Sequence, residues 1–307
     1  MSDEQSLAGF GEPVGIAERD KPPFVLLPKP STLFALRAMR FAKLAPDHQL
    51  QPFLTFLAAL SGVQDRLARE LPPAVLPTPR DQHMRAASGM PVVPREDLAD
   101  DALALGALER LLALMSAVDM PEAARAALEE ARMLDEGGRR AMFAAVLSDV
   151  VPAETVAQHI FAAAALQVVA AMRSAQLDAE LPQKVADGIC PCCGAPSVSS
   201  AVVGAGNVEG VRYVQCSLCA AQWNQVRVRC VSCGSTKGIS YQAIEGVADS
   251  IKAETCDECG TYMKILYQTK DMELEPVADD VASLGLDLLV SEAGWRRAGV
   301  NPFLLGY

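Results

Sequence analysis

Nine cysteines carry the chemically capable side chains of this chain, and all of them lie between Cys190 and Cys259. Eight fall into four C-x2-C pairs: Cys190/Cys193, Cys216/Cys219, Cys230/Cys233 and Cys256/Cys259. Each half reads C-x2-C-x22-C-x2-C, and adding 40 to every position of the first half gives the second, the mark of an internal duplication. A two-residue gap lets both thiolates of a pair face one metal from a tight turn, whose backbone N–H groups hydrogen-bond the sulfurs and spread their charge. Gly194, Gly234 and Gly260 directly follow three of the pairs, where a residue with positive φ closes the turn; only Ala220 departs from that pattern. The spacing therefore predicts two tetrathiolate metal sites, one on Cys190, Cys193, Cys216 and Cys219, the other on Cys230, Cys233, Cys256 and Cys259. The repeat favours this sequential pairing over a cross-brace. Tetrahedral S4 coordination suits zinc or iron, and the spacing does not choose between them.

Cys192 is the odd ninth cysteine, inside the first pair, where the second half has Ser232. A serine at the equivalent position means that the turn needs no thiol there. Cys192 is then either a bystander or a free reactive thiol, since nearby N–H groups favour a thiolate.

The stretches between the pairs have the alternation and turn residues of β-hairpins. Val198 to Val203 and Val211 to Val214 flank Gly204-Ala205-Gly206-Asn207, and Ile239 to Ile244 precedes Glu245-Gly246. Trp223 to Val228 and Tyr262 to Tyr267 follow the second and fourth pairs. Each half reads as a rubredoxin-like or zinc-ribbon lobe, too small to hold a fold on a hydrophobic core alone. A structural tetrathiolate site contributes on the order of 10 to 16 kcal/mol, enough to make such lobes fold only when metallated.

Ahead of the lobes the chain is helical. Residues 1–30 carry Pro13, Pro22, Pro23, Pro28 and Pro30 and read as an extended arm. Leu33, Leu36 and Met39 fall at helical spacing, and a second helix runs roughly from Leu50 to Glu70. Six prolines between residues 72 and 94 predict a long loop without regular structure, with His83 as a solvated loop residue. Breaks at Pro121, Gly137-Gly138 and Pro152 divide residues 97–181 into four helices, the last apolar on all sides between Ile160 and Met172 and so central to a bundle. His159 on that helix reads as a core residue. Glu129-Glu130 and Asp135-Glu136 read as solvated charge, and no phosphate loop, nucleophile elbow or metal-binding histidine pair is present. After the lobes, Val277, Val281, Leu284 and Leu288 form a stripe on one helix whose opposite face carries Asp279, Asp280 and Asp287. The tail Asn301-Pro302-Phe303-Leu304-Leu305 is too apolar to float and is expected to dock on its own chain.

Composition narrows the function. Half of the 307 residues are hydrophobic, which excludes a disordered chain, and the formal charge is -11. Residues 186–275 hold seven Lys or Arg against ten Asp or Glu, and two tetrathiolate sites bring that segment to about -7, where a nucleic-acid backbone wants a positive face. An acidic chain more plausibly meets a protein than a nucleic acid or an anionic membrane. Residues 1–19 show no secretory pattern, and thiols in a reducing compartment are better used for metal than for disulfides. The apolar run from Ile160 to Met172 is shorter than the ~20 residues of a bilayer span.

The cysteine region resembles a known family, the formate dehydrogenase accessory proteins of the FdhE type. The likeness is carried by C-P-C-C-G-A-P-S-V-S-S from Cys190, by R-Y-V-Q-C-S-L-C from Arg212 with Trp223, and by V-R-V-R-C from Val226. It continues in K-A-E-T-C-D-E-C-G-T-Y-M-K-I-L-Y-Q from Lys252, V-A-D-D-V-A-S-L from Val277 and N-P-F-L from Asn301. It spans nearly all of residues 186–307 and, more loosely, Leu33 to Gln64. The extra Cys192 departs from the family's pattern, which weakens an essential role for it. The resemblance implies a cytoplasmic maturation factor required for active formate dehydrogenase, contacting its catalytic subunit before export and associated with rubredoxin-type iron.

These readings combine into an α+β protein with an N-terminal all-helical bundle, two tandem rubredoxin-like or zinc-ribbon β lobes and a C-terminal helix. The expected divisions are an arm over 1–30, a helical domain over 31–185, ribbons over 186–229 and 230–275, and a closing helix with docked tail over 276–307. The expected mode of action is binding rather than turnover, with no nucleic acid and no membrane insertion, and with self-association left open. The rival reading is an iron-dependent redox protein, passing electrons or handling sulfur at its metal sites or at Cys192.

Overall fold

A computed structural model describes residues 22–205, 208–244 and 249–304. The arm ahead of Pro22, the turn residues Gly206 and Asn207, Glu245-Gly246 and Leu305 lie outside the described residues. The described part of the arm is docked: β1 (Val25–Leu26) closes one edge of the sheet.

The helical part comprises α1 (Pro30–Leu44), α2 (Gln51–Glu70), α3 (Pro79–Ala87), α4 (Ala102–Met115), α5 (Glu122–Met133), α6 (Glu136–Leu147) and α7 (Val156–Ser174). Sequence signals set their starts. Pro30, Pro52 and Pro79 occupy first-turn positions, where the missing N–H costs nothing. Asp101 and Asp135 cap α4 and α6, accepting from Ala104 N and Gly138 N, each at 2.8 Å. The four helices expected between residues 97 and 181 are α4 to α7. α7 is buried along its whole middle and packs against α2, α4, α5 and α6. With its lead-in turn it forms the continuous helix Ala153–Ser174, the one helix among the described residues long and apolar enough to cross a membrane; here bundle partners cover it.

The proline-rich stretch 72–94 is not wholly irregular, because α3 lies within it. Thr78 caps that helix through Asp81 N at 3.2 Å and Pro79 starts it, so proline count misled where proline position was informative. His83 is accordingly helical, exposed, and satisfied by the Pro79 carbonyl at 2.7 Å. His159 is a buried α7 residue bonded to the Thr155 carbonyl at 2.6 Å. Glu129 pairs with Arg132 and Glu136 with Arg140, as solvated helical charge.

The remaining strands are β2 (Ser197–Ala205), β3 (Val208–Cys216), β4 (Gln222–Gln225), β5 (Ile239–Gln242), β6 (Ile251–Cys256), β7 (Thr261–Tyr267) and β8 (Arg296–Arg297). The sheet runs β1-β4-β3-β2-β7-β6-β5, with β8 added to β7. The two repeats are thus not separate beads. β2 and β7 pair in parallel, Ser200 with Ile265 and Val202 with Tyr267, and fuse both hairpins into one sheet. Arg212 of β3 reaches across the joint to Glu254 of β6 in a bidentate pair at 2.8 and 3.0 Å, with both side chains out of water. The strand expected from Trp223 to Val228 stops at Gln225, and Val226 and Val228 stand exposed.

The closing helix is broken at Ser283 into α8 (Ala278–Ala282) and α9 (Leu284–Glu292). The break resets the helical phase. Val277 and Val281 are buried as the stripe predicts, but in α9 Leu286 and Val290 face inward while Leu288 is 52% exposed. The aspartates expected on a polar outer face are inside: Asp279, Asp280 and Asp287 are all buried. Cations reach them from other elements, Arg40 to Asp279 at 2.7 Å and Lys264 and Arg297 to both Asp280 and Asp287. The described part of the tail, through Leu304, is docked, with Phe303 edge-on to Phe41 at 6.3 Å and Asn301 donating to Asp280 at 2.7 Å.

Candidate metal centres

Each C-x2-C pair sits in a turn at a strand end. The first precedes β2, the second links β3 to β4, the third follows β4, and the fourth links β6 to β7. The turns close in the same way: Gly194 N, Gly234 N and Gly260 N bond the carbonyls of Cys190, Cys230 and Cys256 at 3.0, 3.0 and 2.9 Å. All three glycines have positive φ, and so does Ala220, at 58°. The turn geometry is therefore common to all four pairs, and Ala220 accepts the left-handed conformation with its Cβ in place.

The turns bring the sulfurs together in two groups, Cys190 with Cys193, Cys216 and Cys219, and Cys230 with Cys233, Cys256 and Cys259, each group lying within 4.8 Å. Within them Cys190–Cys219 and Cys193–Cys216 are 3.7 and 3.4 Å apart, and Cys230–Cys259 and Cys233–Cys256 are 3.7 and 3.8 Å apart. A metal at about 2.3 Å from four tetrahedral sulfurs requires edges of about 3.8 Å, so both donor sets fit such an ion in size and in chemistry. Backbone donors already aim at the sulfurs: Leu218 N and Cys219 N lie 3.4 and 3.3 Å from Cys216 Sγ, and Cys233 N lies 3.5 Å from Cys230 Sγ. The two groups can each hold a metal ion.

Their surroundings differ. In the first group all four cysteines are buried; in the second Cys233 is exposed and Cys259 half-buried. The helical part supplies the cover. Residues 92–95 run along the first turn, where Val93 N and Arg95 N bond the carbonyls of Cys192 and Cys193, both at 2.9 Å. Gln167 of α7 donates its amide to the Ser217 carbonyl in the second turn at 2.8 Å. A Cβ on Gly194 would meet Pro91 at 2.9 Å, which shows how closely the two surfaces approach. Cys192 is itself fully buried, so its thiol meets no external reagent in the folded chain.

The second group leans on the C-terminal segment. Arg296 N bonds the Gly260 carbonyl at 3.0 Å, and β8 pairs with Thr261 and Tyr262 of β7. Behind this strand Lys264 is completely buried, donating to the carbonyls of Asp280 and Ser283 at 2.7 and 3.1 Å. Burial pushes the Asp280 carboxyl up, but Arg297 and Lys264 outweigh it and hold the group below the ordinary carboxylate range. At Asp279 burial prevails over Arg40 and the carboxyl is raised. Burial, then the charge of Asp287, pushes the Tyr262 phenol up. Sequence reasoning missed this ionic cluster because its members sit on separate elements, β7, α8, α9, β8 and α1, that only the fold brings together; the signal was Lys264 within an otherwise apolar strand, which demands a buried counter-charge.

Three models of one family tile the chain: "FdhE, N-terminal" over residues 22–187, "FdhE, central domain" over 189–227 and "FdhE, C-terminal domain" over 228–304. A "Protein FdhE homolog" from Rhizobium meliloti is 44% identical over 299 residues, covering 96% of this chain and 97% of the relative. One from Stutzerimonas stutzeri is 37% identical, covering 94% of each. The crystal structure of the FdhE protein from Pseudomonas aeruginosa superposes with a TM-score of 0.81 at 33% identity, covering 93% of this chain and 99% of that one.

Proposed function

The chain belongs to the FdhE family, and on that premise we propose that it is a cytoplasmic accessory factor required for active formate dehydrogenase, which binds the catalytic subunit through a surface held in shape by metal. The observation that carries the reading is the place of the first cysteine group, at the joint where residues 92–95, α7 and the sheet meet. Cys190, Cys193, Cys216 and Cys219 would hold one ion and Cys230, Cys233, Cys256 and Cys259 another. When bound, an ion in either site supplies a tetrathiolate cross-link between two turns that no side-chain packing replaces. The protein's own contribution is rigidity: Gln167, the 92–95 segment and the Arg212–Glu254 pair fix the turns relative to the bundle and to each other. Iron of the rubredoxin type is the metal the family resemblance favours, with zinc as the alternative; elemental analysis and visible absorption of the purified chain separate them.

Capture of the formate dehydrogenase catalytic subunit by the intact chain tests the reading. The expected result is specific capture, lost when Cys190 and Cys193 are both changed to Ser. No capture by the intact, metal-loaded chain overturns it.

A second reading, a redox role in electron transfer or sulfur handling, has one observation in its favour. The second cysteine group reaches the surface through Cys233, as exchange of electrons with a partner requires. Reversible bleaching and recolouring of an iron-loaded chain at a physiological potential is its test, and a colourless zinc protein ends its iron-based form.

A further inference from the structure

A groove of about 430 Å³ lies between α1 and the segment before α8. Leu33, Leu36 and Met39 form one wall, Met272, Leu274 and Pro276 the other. Gln215 of β3 and Gln222 of β4 lie between them, and Arg40, Lys43, Gln268, Glu273 and Glu275 also line the groove. The volume falls in the range of binding pockets, and the two apolar walls are interspersed with charged and amide side chains.

Three observations say what fits there. First, Gln215 is 3% exposed, and its Nε2 has no hydrogen-bond partner, although its Oε1 accepts from Gln222 at 2.8 Å. A buried amide donor left unpaired is met by an incoming carbonyl oxygen. Second, the charges at the groove are already spent on one another. Arg40 is bound by Asp279 and Asp271 at 2.7 and 3.1 Å, Lys43 is bound by Glu273, and Glu275 is bound by Arg37 at 3.1 Å. The complementary occupant is therefore neutral and apolar. Third, the walls rise out of the groove: Leu36, Met39 and Met272 are 57, 67 and 87% exposed. Apolar surface that continues past the groove matches a polypeptide longer than the groove, and methionines adapt to varied side chains.

We infer that this groove takes an uncharged, apolar segment of the formate dehydrogenase catalytic subunit, with a backbone carbonyl of that segment accepting from Gln215 Nε2. The inference rests on the accessory-factor reading above and assigns it a surface. It also ties that surface to the first cysteine group, since Gln215 directly precedes Cys216 and Gln222 lies three residues after Cys219.

The test uses the full, metal-loaded chain and the purified catalytic subunit. Affinity is measured for the unaltered chain, for Leu36→Glu/Met39→Glu on one wall, for Met272→Glu on the other, and for Leu288→Glu/Leu289→Glu on α9. All five replaced side chains are more than half exposed, so the fold is retained. The expected result is at least a tenfold loss for both wall variants and less than a twofold change for the α9 variant. Equal binding by all variants overturns the groove assignment and leaves the accessory-factor reading standing. No binding by the unaltered chain overturns both. A photo-crosslinker in place of Met39 is expected to capture the catalytic subunit; products only with a second copy of this chain, or with its own residues 1–21, overturn the assignment.

Discussion

Cys193 and Cys233 occupy equivalent positions of the 40-residue repeat, yet Cys193 is 2% exposed beneath residues 92–95 while Cys233 faces solvent. The same local turn has thus been placed in two environments. The bundle covers one copy and leaves the other open.

Metal removal should therefore be stepwise. A chelator such as EDTA is expected to take the ion held by Cys230, Cys233, Cys256 and Cys259 first, at least tenfold faster than the ion held by the buried set, because attack on a tetrathiolate site requires access to a sulfur. Metal-to-protein ratio followed over time checks this, with a plateau near one ion per chain. Simultaneous loss of both ions would contradict it.

Asp280 lies at 0% exposure between Lys264 and Arg297. Replacement by Asn leaves those cations short of a buried counter-charge and is expected to cost about 3 to 5 kcal/mol in urea unfolding at pH 7. The pH dependence has a definite sign. The folded carboxyl titrates below its ordinary value, so its stabilisation is fully present above the unfolded pKa of about 3.9 and is lost as pH falls through the lower folded value. The gap between the native chain and Asp280→Asn should close below about pH 4 and stay constant between pH 6 and 8.

Gly299 marks where the tail passes β2. A Cβ there would lie 2.7 Å from the Ser197 carbonyl oxygen and 2.9 Å from that of Val198, and strand backbone cannot yield. Gly299→Ala is expected to cost about 1 to 3 kcal/mol and to expose the tail to carboxypeptidase. Gly62, inside α2 and with nothing within 4 Å of its would-be Cβ, gives the opposite sign: Gly62→Ala should stabilise by about 1 kcal/mol. Thermal melts of the two variants check both.

Cys192 offers a test by indifference. On the proposed accessory role, Cys192→Ala is expected to keep both metal ions and to match the unaltered chain in capture of the catalytic subunit, with about 1 kcal/mol lost for the buried sulfur. Loss of partner capture with both ions retained would restore a functional role to this thiol.

Most of the local chemistry was legible. The C-x2-C spacing and the glycines after it encode a turn that needs nothing from the rest of the chain, which is why the grouping of eight cysteines into two sets of four could be read from residue numbers alone. The helices of the bundle were legible for the same reason, as periodicity and caps act within a few residues. α3 was missed because its prolines were counted without regard to position, although Thr78, Pro79 and Asp81 together spell a helix start.

What the sequence by itself determined is the duplicated turn, the helical periodicity and the apolar tail that had to dock. Tertiary structure alone decided three things: the parallel pairing of β2 with β7, the burial of one cysteine group and exposure of its copy, and the interior place of Asp279, Asp280 and Asp287. Each of these depends on a partner carried by another element of the fold. An aspartate reads as surface until Arg40, Lys264 and Arg297 arrive beside it, and identical turns differ only in what folds over them.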